Sequence, residues 1–136
     1  MKSYIAVLLL LISFDSFSQE KVVISDLDKA FALIFSDPEQ AKLDLDRLEI
    51  AAKKQNDSLY SIILNNKGIY FAVQTQMDSA LIYFNKSIAL VNGTTKRYVG
   101  TQTNIAIIYK KRGDLDMAIS ILEAKPLTYK NIALSK

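Results

Sequence analysis

The chain has 136 residues, half of them apolar, and a formal net charge of +3; this length suggests one domain, and the apolar share with only two prolines excludes general disorder. It contains no cysteine and no histidine, which removes disulfides, thiolate nucleophiles, most zinc sites and the usual general base near neutral pH. The commonest hydrolytic and redox chemistries are thereby excluded, and no catalysis, metal site or cofactor is expected.

The chain opens with "MKSYIAVLLLLISFDSFSQE". Lys2 supplies a positive start, and the apolar run from Tyr4 to Phe14 is eleven residues long, too short for the roughly twenty that span a bilayer. Asp15 ends it, and Ser16 and Ser18 are small residues two apart, as a signal-peptidase site requires. Residues 1–18 are therefore expected to be a signal peptide cleaved before Gln19. No cysteine follows for lipidation, so a periplasmic or secreted chain with no stable membrane insertion after cleavage is expected. Charge is uneven: residues 19–95 hold eight Lys/Arg and ten Asp/Glu, whereas 96–136 hold eight and three. A basic end can attract anionic partners, but no arginine array with interleaved aromatics appears, so nucleic acid is not expected.

The remaining elements read as helices. From Ile24 to Phe35, Leu27, Ala30, Phe31 and Ile34 fall at helical spacing. In "SDPEQ", Asp37 suits an N-cap, Pro38 the first helical position and Gln40 a capping box; the second helix then carries Ala41, Leu45, Leu48 and Ala52. A third is predicted from Ser58 to Gln74 and a fourth from Met77 to Val91, where "NGTT" breaks the chain. The fifth covers Lys96–Arg112. Gly113 suits a helix end and Asp114 a cap, so a sixth covers Leu115–Ala124, and Pro126 interrupts. No segment alternates with a period of two, so the chain reads as all-α, with short turns joining antiparallel helices.

The segments repeat. "NNKGIYFAVQTQMDSALIYFNKS" (65–87) aligns with "TNIAIIYKKRGDLDMAISILEAK" (103–125) at a constant offset of 38, pairing Asn66 with Asn104, Gly68 with Ala106 and Ala80 with Ala118. Ala41 and Leu45 lie 39 residues before Ala80 and Phe84. Small residues facing each other in a hairpin let two helices approach to about 8–10 Å, and the aromatics beyond them fill the space at native density. A glycine inside a helix costs about 1 kcal/mol against alanine, so Gly68 points to such packing.

This spacing resembles the tetratricopeptide repeat, best over 58–125, with Gly68, Phe71, Ala80 and Phe84 in one copy and Ala106, Tyr109, Gly113, Ala118 and Pro126 in the next. The phrase "KKRGDLDMAI" is close to the family's inter-helix turn. The period is longer than 34, and Gln102 stands where the family has a bulky residue. The resemblance implies a right-handed α-α superhelix of about three helical hairpins, near 22–55, 58–92 and 96–126 within a domain 19–136. It also implies protein or peptide binding in a concave groove lined by the first helix of each hairpin. Exported copies of longer period resemble regions that precede bacterial sensor kinases or regulators.

The groove residues expected on that basis are Asn66 and Asn104, able to clamp a peptide backbone with donor and acceptor together. Asn65, Thr103, Ile62, Ile69 and Ile107 are expected on the same face, with Lys110 nearest the groove in "KKR", a run that also complements a helix C-terminus. The pairs Asp44/Asp46 and Asp114/Asp116 point to different helix faces and are not read as catalytic. The alternative is a structural or self-associating fragment of a larger sensory or regulatory protein, with a homo-oligomer formed through an uncapped C-terminal end.

Overall fold

The computed structural model describes residues 23–93 and 95–124. Six helices and no strand occupy them: α1 over 23–36, α2 Pro38–Lys53, α3 Asp57–Val73, α4 Met77–Ile88, α5 Lys96–Lys111 and α6 Leu115–Glu123. The all-α expectation holds. The expected signal peptide over 1–18, and the end of the last repeat at Pro126, lie outside the described residues. The fourth helix stops at Ile88 rather than Val91, because the amides of Leu90 and Val91 turn back to the carbonyls of Ser87 and Ile88 in tight i→i−3 bonds.

Local chemistry sets the starts. The side chains of Asp37, Asn56, Thr95 and Asp114 accept from the amides of Gln40, Leu59, Tyr98 and Met117, satisfying one orphan donor of each helix. The capping box expected at Asp37 is only half formed. Asp37 N–H is already bonded to the Leu33 carbonyl, so the Gln40 side chain donates instead to Asp44, one turn on, at 3.2 Å.

α3 packs on α4, α5 on α6, α2 on α3 and α4 on α5. Buried residues of α1 (Val23, Leu27, Ala30, Ile34) share one core with those of α2 and α3. A second core joins Ala80 and Phe84 of α4 to Ile105 and Ile108 of α5. The small residue of the hairpin recurs three times at an offset of 38, as Ala30, Gly68 and Ala106, all buried. Two turns from Gly68 on the same face, buried hydroxyls cross-link α3 and the end of α4: Ser61 donates to the Ser87 carbonyl at 3.0 Å and Ser87 to the Ser61 carbonyl at 2.8 Å. α3 and α5 also touch directly, whereas among the described residues α2 does not touch α4, nor α4 α6. α5 therefore comes closer to α3 than α4 does to α2 or to α6.

The shift from 38 to 39 in the even helices has a local cause. The second and third hairpins turn through a left-handed residue, Thr75 (φ 61°) and Gly113 (φ 84°). These two are 38 apart. The first hairpin has no such residue, because α2 begins directly after Asp37. A β-branched residue at positive φ is strained, and the αL conformation costs about 1–2 kcal/mol for an L-residue. Thr75→Gly is therefore expected to stabilise the fold by about 1 kcal/mol, read as a higher urea midpoint at unchanged m-value. A lower midpoint would remove strain at this turn from the account.

Candidate functional site

Helical geometry advances 100° per residue, so positions three and four apart share a face. On α3, Gly68 and Ser61 face α4, Lys67 faces α2 and Asn65 faces α5, as their contacts show. The sector left over carries Ile62, Asn66, Ile69 and Val73. The same positions 38 residues on are Gly100, Asn104, Ile107 and Lys111; 38 residues back they are Ile24, Asp28, Phe31 and Phe35. Large apolar side chains stand exposed along these strips: Ile24, Phe31, Phe35, Val73 and Ile107, with Phe35 65% exposed. Between α3 and α5, over Phe84 of α4, lies an open recess of about 140 Å³, whose walls include Ile69, Val73, Asn104, Ile107 and Lys111 of the strips.

The expected site residues divide. Ile69, Asn104 and Ile107 meet at the recess, and Ile62 is half-buried against the first core. Asn66 is 9% exposed, and its side chain makes no hydrogen bond among the described residues. Asn65 and Thr103 are not on the open face. Asn65 Oδ1 accepts from Thr101 Oγ1 at 3.0 Å and from Asn104 Nδ2 at 3.2 Å, tying α3 to α5; Thr103 donates to its own helix at the Val99 carbonyl, 2.9 Å away. The two asparagines expected as equivalent are therefore different. Asn104 meets Asn65 of the preceding odd helix, whereas the residue 38 before Asn65 is Leu27, which offers Asn66 no polar partner. Lys110 is exposed and is not the lysine at the recess; Lys111 is, because it stands in the Val73 position.

Sequence reasoning missed Ile24, Asp28, Phe31, Phe35, Val73, Gly100 and Lys111 as members of this face. The signal was present: the offset of 38 extends unbroken into α1, where matching by the even helices alone gave 39.

The strongest electrostatics lie elsewhere. The buried Lys67 ammonium donates to Asp46 at 2.7 Å and Glu49 at 2.5 Å and lies 4.7 Å from the Tyr83 ring centroid. That ring stacks on Phe71 at 5.2 Å. Burial pushes the Lys67 pKa down, but the bonds to Asp46 and Glu49 outweigh it and the net shift is upward. Burial likewise raises Asp46, and its bonds from Lys42 and Lys67 overcome that and hold it below its usual 3.8. Burial, helped by the Glu49 carboxylate, raises the Tyr60 hydroxyl. All three groups are locked in their ordinary charge states, which makes this cluster a brace between α2 and α3 rather than an acid–base pair. No cluster of metal-ligating side chains occurs among the described residues, and no helix there is long and apolar enough to cross a membrane.

No family model, curated protein or solved structure matches the chain.

Proposed function

We propose that the chain is an exported tetratricopeptide-type binding module. In this reading three hairpins form a right-handed superhelix, and the strips of α1, α3 and α5 line its concave groove, where a protein or peptide docks without catalysis. One observation carries the reading: the same four positions recur at a strict offset of 38 on three odd helices, and five of the twelve, Ile24, Phe31, Phe35, Val73 and Ile107, hold large apolar side chains in the open. Isolated exposed apolar residues are ordinary, but a contiguous apolar face is a mark of an interaction site. The approach of α5 to α3, with no such approach of α4 to α2 or to α6, supports curvature toward this face.

A second reading has its own observation. Leu122 of α6 is 39% exposed, whereas its counterparts Leu45 and Phe84 are each 1% exposed. The end of the array therefore presents an apolar surface that a further helix or a second copy covers, as in a self-associating or larger regulatory protein. One experiment weighs both readings. The chain and two surface variants, Ile107→Asp and Leu122→Asp, are compared by light scattering and by capture from a periplasmic extract. Capture of a partner that is lost in Ile107→Asp alone supports the groove. A dimer that dissociates only in Leu122→Asp supports the end surface. A monomer that captures nothing overturns both.

A further inference from the structure

We infer that the recess between α3 and α5 is an anchor pocket: it takes one leucine- or phenylalanine-sized side chain of an acidic protein segment, with a side-chain carboxylate of that segment on Lys111. The inference rests on the groove reading and gives its partner a chemistry. Three observations carry it.

The first is size. An apolar cavity of about 150 Å³ holds one benzene-sized molecule. The recess of about 140 Å³ therefore has room for one large apolar side chain and little more. Sites for free small molecules run to about 300–1,000 Å³, at least twice this volume. A pocket filled by a single side chain is instead what dominates a protein interface, with the surrounding contacts excluding water.

The second is the lining. The floor includes Phe84 and Ile108, each 1% exposed. Both belong to the core that joins α4 to α5, so packing that has nothing to do with a ligand holds the floor in place. Val73 and Ile107 stand 40% and 45% exposed at the walls. A segment seated over the anchor removes both from water, which is favourable in proportion to the apolar area covered.

The third is charge, which selects the partner. Lys111 is the one charged residue of the lining among the described residues. Its neighbour Arg112 is paired with Asp78, whereas Lys111 makes no ion pair among the described residues. The whole of α5 carries Lys96, Arg97, Lys110 and Lys111 and no acidic residue. The opposing effect is the C-terminus of α3 at Val73, where no basic residue stands in the last turn. A helix end supplies only about half a negative charge, so the cations of α5 outweigh it. Asp28, the acidic residue of the strips, lies on α1, outside the lining. A positive rim around an apolar floor favours a partner with carboxylates beside its apolar anchor and repels a basic one.

The test uses the full chain, ¹⁵N-labelled, with three synthetic peptides of equal length. The first is rich in aspartate and glutamate around one central leucine. The second replaces that leucine by alanine. The third keeps the leucine and replaces the acids by lysine. The expected result is saturable binding of the first peptide, with the largest shifts at Ile69, Val73 and Ile107, and at least about tenfold weaker binding of the other two. Lys111→Glu is expected to weaken the acidic peptide by about tenfold and to strengthen the lysine peptide, a reversal that damage to the fold would not produce. Ala72→Leu, which puts a side chain into the recess, is expected to weaken the first peptide by about tenfold at unchanged helicity; if that variant fails to fold, Lys111→Glu still decides. Equal binding of the alanine peptide, equal or tighter binding of the lysine peptide, or indifference to Lys111→Glu would each overturn the inference and leave the groove reading intact. Benzoate, a ring with one carboxylate, binding as tightly as the first peptide would make a small molecule the occupant and overturn it. Shifts at the recess that grow with the concentration of the chain alone would make a second copy the occupant, with the same result. If no peptide shifts these residues, the inference falls, and the groove reading stands or falls separately on capture that Ile107→Asp abolishes.

Discussion

Gly68→Ala is expected to lower the midpoint of urea unfolding, and Gly100→Ala to raise it, although both replace a glycine inside a helix. Helix propensity alone predicts a gain of about 1 kcal/mol at each site. At Gly100, in the exposed part of α5, an added Cβ meets nothing within 4 Å, so the gain is expected almost in full, partly through reduced freedom of the unfolded chain. At Gly68 the new Cβ would fall inside the van der Waals shell of Phe84 Cδ1 and Cε1 and 3.0 Å from its Cγ. Phe84 is itself 1% exposed, in the core that joins α4 to α5 and at the wall of the recess, so the ring must be pushed from its packed position. Overpacking a filled core costs about 1–3 kcal/mol, which exceeds the propensity gain. The expected net loss is about 1–2 kcal/mol. The pair Gly68→Ala/Phe84→Leu should recover part of that loss, because the rim of the ring is removed. Equal and favourable effects of Gly68→Ala and Gly100→Ala would mean that α3 and α4 are not held at this separation.

Lys67→Met is expected to destabilise the fold by about 2 kcal/mol and to change its pH dependence. Removing one member of a buried ion pair costs roughly 3–5 kcal/mol because a charge is left unpaired. The lower figure applies because the Asp46 side chain is 40% exposed, so water screens what remains. The signs at the two ends of the pH scale are opposite. Asp46 has its folded pKa depressed below 3.8, so its contribution is present above that value and is lost as the pH falls through the folded pKa. Lys67 has its pKa raised above 10.5, so its contribution is present below 10.5 and is lost as the pH rises through the folded pKa. The parent chain should therefore weaken at both extremes. Lys67→Met should lose the alkaline limb that belongs to this lysine and keep part of the acid limb, since Lys42 still holds Asp46 at 2.7 Å. Denaturant titrations across pH measure this. An unchanged alkaline limb in Lys67→Met would remove the brace from the account of stability.

The helices themselves were legible in the sequence. Their apolar spacing, their caps at Asp37 and Asp114, and the helix end at Gly113 depend on residues within one turn of each other, and local geometry fixes them. The offset of 38 was legible for the same reason, because each hairpin repeats the same small and large residues. Which side chain meets which neighbour was not. Asn65 and Asn66 are adjacent in the chain and 100° apart on the helix, so one is consumed by Thr101 and Asn104 while the other, 9% exposed, makes no side-chain hydrogen bond among the described residues. Lys110 and Lys111 separate in the same way, and only the second reaches the recess. Lys67 gave no signal in the sequence, because its partners Asp46 and Glu49 lie 21 and 18 residues away on another helix. Periodicity determines the faces of a helix, since it follows from the backbone turn. The helix that covers each face, and the angle at which it crosses, depends on long-range packing of side chains, and that contact decides whether a polar group is a brace or a point of contact for a ligand.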